Sequence, residues 1–154
     1  MESDVQQPRF APEQPPRIWA LLSPREGDNA QILAVAEALG SPFERRRFSN
    51  RPGAIAANLI AGAAIRSRVR YEPGAFDPPW PDLVLAAGTQ SEPICAQIRH
   101  DARRDGYRTR LVFLGRPWMD PGRYDLVVTT PQYRVPPGPN VMEIDFPLHR
   151  VSAE

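Results

Sequence analysis

Residues 23–31 read Ser23-Pro24-Arg25-Glu26-Gly27-Asp28-Asn29-Ala30-Gln31. The residues before this polar segment, 18–22, are continuously apolar, which is typical of a strand buried on both faces of a sheet. After it, apolar residues fall on one face of a predicted helix that ends at Gly40. In an open α/β sheet, ligands bind beyond the carboxyl ends of the strands, so this polar turn is a candidate ligand site.

The rest of the chain alternates between strand-like and helix-like segments. Further strands are predicted at 43–48, 83–87, 111–114, 126–128 and 141–144. Helices are predicted from Asn50 to residue 65 and from Ser91 to Gly106, with Asn50 and Ser91 as N-caps, and a Pro- and Arg-rich connection is predicted at 66–81. Strands that alternate with helices in this way form right-handed crossovers. The predicted fold class is therefore α/β, with a Rossmann-like, doubly wound and mainly parallel sheet.

Length and charge limit the class of protein. The 154 residues fit one domain, predicted over 17–150, with a disordered Pro-rich lead at 1–16 and a short tail at 151–154. The net charge of +1 gives no basic footprint, so no nucleic-acid partner is expected. The N-terminus lacks a secretory pattern, and no run approaches the roughly 18 apolar residues of a membrane span. A cytoplasmic location is therefore expected.

Several familiar site motifs are missing from the sequence. No GxGxxG follows a strand, and P-loop, GxSxG and HExxH patterns are absent, which argues against dehydrogenases, ATPases, serine hydrolases and metalloproteases. The single cysteine, Cys95, lies in a predicted helix and suits a small buried side chain better than a nucleophile. No CxxC or His/Cys cluster indicates zinc. No cofactor and no metal are therefore expected.

Four polar segments begin where predicted strands end. They are residues 26–29, 88–91, 115–117 and 129–133. If the sheet is parallel, all four lie at the same edge, because the carboxyl ends of parallel strands point the same way. This convergence predicts a ligand cleft.

Each polar segment also has a structural explanation. Asp28 suits the N-cap of the first helix, with Gln31 as its capping-box partner, and taken alone that explanation is favoured. Ser91 suits a cap better than a catalytic role, although free N–H groups there could bind an anion. Arg116 could bind an anionic ligand or form a surface ion pair. Thr130, Gln132 and Tyr133 could form hydrogen bonds with a sugar or a nucleotide, or they could satisfy the backbone of their own turn.

Other segments receive less specific interpretations. His100 lies among arginines on an outer helix face, and His149 lies near the end of the sequence. We therefore expect both side chains to lie at the surface. The cluster at 45–47 is a solvated strand face, with weak contact to anionic lipid as the alternative. The helix over 54–65 is apolar over most of its circumference, which favours burial. The arginines that follow it, at 66–70, leave a peripheral membrane contact open.

In combination, several segments resemble the mitochondrial-fission Elm-type family of glycosyltransferase-like proteins. The first are Gly27-Asp28-Asn29-Ala30-Gln31, Trp80-Pro81-Asp82-Leu83-Val84 and Gly115-Arg116-Pro117. The others are Tyr124-Asp125-Leu126-Val127-Val128-Thr129-Thr130-Pro131-Gln132-Tyr133 and Pro147-Leu148-His149-Arg150. They occur in the expected order over most of residues 17–150.

The resemblance implies a GT-B-like architecture, in which two Rossmann-like halves enclose a cleft. The N-terminal half of such enzymes binds the acceptor and the C-terminal half binds the nucleotide sugar. The matched segments correspond to the N-terminal half, because the sequence ends at Glu154, about where the second half would begin. We therefore expect an acceptor-side half that takes a sugar or lipid acceptor and is inactive alone. It is a separately encoded half that needs a partner chain for its C-terminal half, a truncated remnant, or a fragment of a longer enzyme. A non-catalytic binding or scaffold module, possibly at a membrane surface, is the alternative.

The resemblance and the predicted sheet edge give one set of site residues. Asp28 is the predicted general base, because it lies where an acceptor hydroxyl would be presented. Segment 88–91 lacks the arginines expected of the family, so anion binding is not expected at that corner. The predicted acceptor-binding residues are Gly27, Asn29, Gln31, Gly88, Thr89, Gln90, Ser91, Gly115, Arg116, Thr130, Gln132 and Tyr133.

Overall fold

The computed structural model describes residues 14–50, 69–145 and 148. Within them, the strands are β1 (Ile18–Leu22), β2 (Phe43–Asn50), β3 (Val69–Tyr71), β4 (Leu83–Ala87), β5 (Arg110–Leu114), β6 (Leu126–Thr129) and β7 (Val141–Glu143). The α-helices are α1 (Glu26–Ala38) and α2 (Glu92–Arg104). Single 3-10 turns lie at Thr89–Ser91, Pro121–Arg123 and Pro131–Tyr133.

The strands form one sheet in the order β3-β2-β1-β4-β5-β6-β7. Every neighbouring pair is parallel except β2 and β3, which are antiparallel. The chain leaves β1 for β2 on one side and returns to β4 on the other side of β1. The strand order thus reverses between β1 and β4, which is the topological switch point of the sheet. The fold confirms the predicted Rossmann-like α/β class.

Helices cover both faces of the sheet, and β1 contributes to both cores. Ile18, Ala20 and Leu22 pack with Ile32 and Ala36 of α1. The alternate residues of β1, Trp19 and Leu21, belong to the opposite core, which also contains Ile94, Ile98 and Ala102 of α2. All five residues of β1 are buried, as its continuous apolar run predicts.

The region between β2 and β4 differs from the prediction. Asn50 was predicted to cap a helix, but it is the last residue of β2 and pairs with Val69. The predicted connection at 66–81 contains the antiparallel strand β3. A three-residue edge strand with an arginine at its centre carries no apolar run, so the periodicity gave no signal for it. The predicted helix over 54–65, most of the lead and the tail lie outside the described residues.

The central arginine of the 45–47 cluster has a structural role. The Arg46 guanidinium lies 4.4 Å from the ring centroid of Trp19 and donates a 3.0 Å hydrogen bond to the Ala75 carbonyl. It also forms an ion pair with Glu44. Arg45 and Arg47 are exposed, as predicted for a solvated strand. Arg46 instead covers the indole ring, a favourable cation–π arrangement.

Two aspartates of the family-like segments form hydrogen bonds that connect the amino ends of the strands. Asp82 accepts hydrogen bonds from the Arg17 backbone N–H at 2.7 Å and from the Tyr107 hydroxyl at 2.6 Å. Asp125 accepts from the Leu111 backbone N–H at 2.7 Å. Both carboxylates lie at the edge opposite the predicted cleft, so their contribution is to the fold.

In the described ranges, no helix is long and apolar enough to cross a bilayer.

Cys95 is buried in α2, as predicted, and its thiol should be unreactive in the folded protein. Burial, with a smaller contribution from the Glu92 carboxylate, raises the pKa of the Cys95 thiol to about 12. We expect a thiol reagent to label the protein at pH 8 only after urea unfolding. The unfolded thiol ionises near pH 9.0, so wild type should lose stability relative to Cys95→Ala as the pH rises above that value. Rapid labelling of the folded protein would contradict this.

Candidate functional site

The turn between β1 and α1 is held by two polar side chains. The Asn29 side-chain amide donates to the Ser23 carbonyl at 2.7 Å, and its oxygen accepts from the Ser23 backbone N–H at 3.0 Å. The Ser23 hydroxyl accepts from the Arg25 backbone N–H at 3.1 Å. Asn29 is only 5% exposed, so its amide is committed to the turn. It positions α1 over the end of β1, and a direct contact with ligand stays a prediction.

Asp28 does not cap α1, which corrects the favoured structural explanation. The N-cap is Arg25, no side chain caps the helix, and Asp28 is a residue of its first turn. Ser23 and Asn29 satisfy the turn's backbone instead, so the helix begins earlier than the capping rule predicts. Asp28 therefore needs another explanation, although a carboxylate in a helix's first turn is favourable in itself.

Asp28 approaches the turn after β4 closely. A Cβ placed on Gly88 would lie 2.5 Å from the Asp28 Oδ2 atom, so the Asp28 carboxylate would have to move to admit it. Gly88 also has φ of 77° and ψ of 146°, a conformation that is essentially restricted to glycine. The backbone conformation selects glycine here, and the absence of a Cβ lets the Asp28 carboxylate lie against the turn after β4 at the switch point.

Four buried oxygen atoms at this edge have no hydrogen-bond partner among the described residues. They are Asp28 Oδ2, Gln90 Oε1, Thr129 Oγ1 and Thr130 Oγ1. Buried polar atoms are nearly always paired in folded proteins, and leaving one unpaired costs about 1–3 kcal/mol. Their residues lie at or just after the ends of β1, β4 and β6, so the unpaired atoms are at the carboxyl edge of the sheet. Such clustering is typical of a site that pairs with a ligand.

The other side of the edge joins α1 to the ends of β5 and β6. A small cavity of about 10 Å³ is lined by Gln31, Gly115, Thr129, Thr130 and Tyr133, among others. The Arg116 guanidinium donates a 3.2 Å hydrogen bond to the Tyr133 carbonyl. The cavity has room for only about one water molecule, so a larger ligand would lie on the open surface of this edge. Segments 115–117 and 129–133 meet here, and segments 26–29 and 88–91 meet at Asp28 and Gly88, both at the carboxyl edge of the sheet.

The remaining predicted site residues divide by their contacts. Ser91 is fully buried and its hydroxyl donates to the carbonyls of Ala87 and Gly88, at 3.0 and 2.8 Å, so it braces the turn, as the structural explanation anticipates. Its side chain makes no capping bond to the helix. Gly27 has nothing within 4 Å of a Cβ position, so space does not require glycine there. Thr89 is half-buried and Gln132 is exposed at the same edge.

Thr129 is the edge residue that the sequence prediction missed. It is 2% exposed and its hydroxyl is one of the unpaired oxygens. Paired threonines at the end of a strand were visible in the sequence, but only Thr130 was selected. Because side chains alternate along a strand, either threonine could have been the inward one.

The fold and the edge define a Rossmann-like α/β domain with polar groups gathered at its switch point. The chain matches the family described as Mitochondrial fission ELM1 over residues 26–154, so it belongs to that family. This confirms the resemblance drawn from the sequence. No curated protein and no solved structure gives a significant match.

The contact between Asp28 and Gly88 can be tested by alanine substitution. Gly88→Ala should destabilise the domain by about 2–4 kcal/mol, because it adds a steric clash to an unfavourable backbone conformation. Gly115→Ala is the matched control, since Gly115 has φ of 102° but nothing within 4 Å of its Cβ position. The excess cost at Gly88 should fall when Asp28→Ala is added. Urea unfolding measures the five proteins: wild type, Gly88→Ala, Gly115→Ala, Asp28→Ala and Gly88→Ala/Asp28→Ala. Equal costs at the two glycines would contradict the close approach.

Proposed function

We propose that this domain binds the acceptor in a sugar-transfer reaction, with Asp28 as the general base. The observation that carries the proposal is the group of unpaired oxygens at the switch point. A carboxylate oxygen and an amide oxygen accept hydrogen bonds and cannot donate them. They therefore favour a ligand rich in hydroxyl or amine donors. A polyol such as a sugar has that chemistry, whereas the oxygens of a phosphate would face acceptors.

The position of Asp28 supports its proposed role as the base. Its side chain is half-buried, and its Oδ2 atom faces the Gly88 turn at the switch point, where family membership and fold both favour a ligand. An acceptor hydroxyl that donates to Oδ2 would pair the orphaned atom. It would also place its own proton within reach of the carboxylate. As that hydroxyl attacks the anomeric carbon of a donor sugar, its proton passes to Asp28 and the leaving group departs with the bonding electrons.

The donor would be held by a second Rossmann-like unit facing this edge. Transfer to an acceptor requires that water be kept from the reacting carbon, and an open edge with a 10 Å³ cavity does not do this alone. A facing unit would close the cleft and supply contacts to the nucleotide sugar. Arg116, which is exposed at the edge and anchored to the Tyr133 carbonyl, is placed to meet an anionic group from the facing side.

A non-catalytic binding module is the second candidate function. The observation that favours it is the structural commitment of Asn29 and Ser91, whose polar atoms serve the turns. In that case the edge would bind a ligand or partner without transferring a sugar. Binding of a glycoside and loss of binding in an Asp28 variant are common to both candidates, so only a transfer assay separates them.

Substitution of Asp28 tests the proposed role. We expect methyl glycosides, at a concentration about 100-fold above Kd, to stabilise the wild-type chain by about 2.7 kcal/mol. Nucleotide sugars alone should give a smaller effect. Asp28→Asn keeps the shape but replaces an acceptor with a donor, so glycoside affinity should fall roughly ten- to a hundredfold. Thermal melting in the presence of each compound measures this.

Glu26→Gln is the matched control for Asp28→Asn. Glu26 lies in the same first turn of α1 and is exposed, so its substitution removes one charge without touching the edge. It should retain glycoside binding. If Asp28→Asn binds glycosides as well as wild type, or if only nucleotide sugars stabilise the chain, the acceptor assignment is wrong.

A further inference from the structure

A larger cavity lies away from the switch point, beside α2. Its volume is about 410 Å³, within the range of small-molecule sites. One wall is a single face of α2 that carries Glu92, Cys95, Ala96, Arg99 and Arg103, spaced three or four residues apart. The other wall is the connection between β5 and β6, which contributes Met119, Gly122, Arg123 and Tyr124.

The cavity exists because the crossover from β5 to β6 has no α-helix. The connection over residues 115–125 contains one 3-10 turn, Pro121–Arg123. In a doubly wound sheet, a crossover helix usually packs beside its neighbour on the same face. Here the loop crosses the sheet beside α2 and leaves the space between them open.

The floor of the cavity is rigid and well paired. The buried Glu92 carboxylate accepts hydrogen bonds from the backbone N–H groups of Trp118 and Met119, at 3.0 and 3.1 Å, and from the Tyr124 hydroxyl at 2.8 Å. Burial and the nearby Cys95 and Glu92 raise the pKa of Tyr124 well above its usual range, so it stays a donor. These bonds fix the loop against α2 and direct the carboxylate away from the rim.

The rim of the cavity is cationic. Arg99 is held in place by an ion pair with Asp125 and a hydrogen bond to the Arg123 carbonyl. Arg103 and Arg123 have no carboxylate partner among the described residues, and the Arg123 guanidinium contacts only the Met119 sulfur, at 3.7 Å. The exposed His100 also lines the cavity. Two guanidinium groups without a carboxylate partner among the described residues thus line this cavity, Arg103 on α2 and Arg123 on the connection.

We propose that this cavity binds a phosphoryl group through Arg103 and Arg123. A phosphoryl dianion matches the two uncompensated charges, and guanidinium groups bind its oxygens in bidentate fashion. Arg99, whose charge is paired with Asp125, adds N–H donors at low entropic cost, since its side chain is already ordered. This site is separate from the switch-point edge, whose unpaired atoms are carboxylate, amide and hydroxyl oxygens.

The phosphoryl group could belong to a soluble molecule or to a lipid headgroup. Trp118 lies in the same connection between β5 and β6. Its side chain is 75% exposed, although its backbone N–H donates a hydrogen bond to the Glu92 carboxylate. An exposed indole beside a cationic opening suits the interface of a membrane. It equally provides a stacking surface beside a soluble phosphate ester. The chemistry at the two arginines is the same in both cases.

Titration with inorganic pyrophosphate tests the site directly. We expect saturable binding to the wild-type chain, with amide chemical-shift changes concentrated in residues 92–103 and 119–124. The double variant Arg103→Gln/Arg123→Gln should bind at least tenfold more weakly. The control Arg108→Gln/Arg110→Gln removes the same charge from two exposed arginines outside the cavity and should change affinity less than threefold. If the double variant does not fold, each single variant should weaken binding at least threefold.

Vesicles identify the source of the phosphoryl group. Phosphatidylglycerol in phosphatidylcholine vesicles should retain the chain if the ligand is a headgroup, with release by pyrophosphate and loss in the double variant. Binding of pyrophosphate without retention assigns the site to a soluble phosphate. The proposal is overturned if neither probe binds, or if the control variant weakens binding as much as the double variant. Asp28→Asn should leave pyrophosphate affinity unchanged, so failure here is distinct from failure of the sugar-acceptor function.

Discussion

The close approach of the Asp28 carboxylate to Gly88 is the constraint that organises this domain. The approach depends on a glycine after β4, because a Cβ there would lie 2.5 Å from the carboxylate oxygen and the carboxylate would have to move to admit it. It also requires α1 to begin early enough for Asp28 to lie in the first turn. The Ser23 and Asn29 hydrogen bonds provide that start without a capping side chain. The polar turns of β1 and β4 can meet at the switch point only when these local features agree.

Much of the fold could be predicted from periodicity. The buried strands β1, β4, β5 and β6 are continuous apolar runs, and Gly40 and Gly106 end the helices with positive φ. What failed was local and polar. The N-cap of α1 was assigned to Asp28 because the capping rule favours aspartate, whereas the turn's backbone is satisfied by side chains six residues apart. Strand β3 was missed because edge strands need no apolar pattern.

The sequence predicts where the candidate site lies but not which side chains form it. The edge of the sheet that carries the site follows from the parallel strands and from the position of the polar segments. Which side chains face the edge did not follow, since Asn29 and Ser91 turn inward to backbone groups while Thr129 and Thr130 present unpaired hydroxyls. The cavity beside α2 was not predicted, because it depends on a crossover without a helix. His100 and its neighbouring arginines were therefore given only surface positions, although they line that cavity.

Two regions of opposite chemistry thus lie on one small domain. The switch-point edge presents oxygens that accept hydrogen bonds, and the cavity beside α2 presents cations. Two further aspartates of the family-like segments, Asp82 and Asp125, hold the amino ends of the strands together. The family-like segments thus contain residues with structural contacts, such as Asp82 and Asp125, as well as Asp28, for which we propose contact with a ligand.

Mapping backbone amide shifts during titration with a methyl glycoside would test the switch-point site most directly. If the edge binds the acceptor, the amides of Asp28, Gly88, Gly115 and Thr130 should shift together and saturate with one affinity. Those around the cavity beside α2 should stay unchanged. Shifts confined to that cavity, or a glycoside that binds without moving the amides of Asp28 and Gly88, would contradict an acceptor site at the switch point.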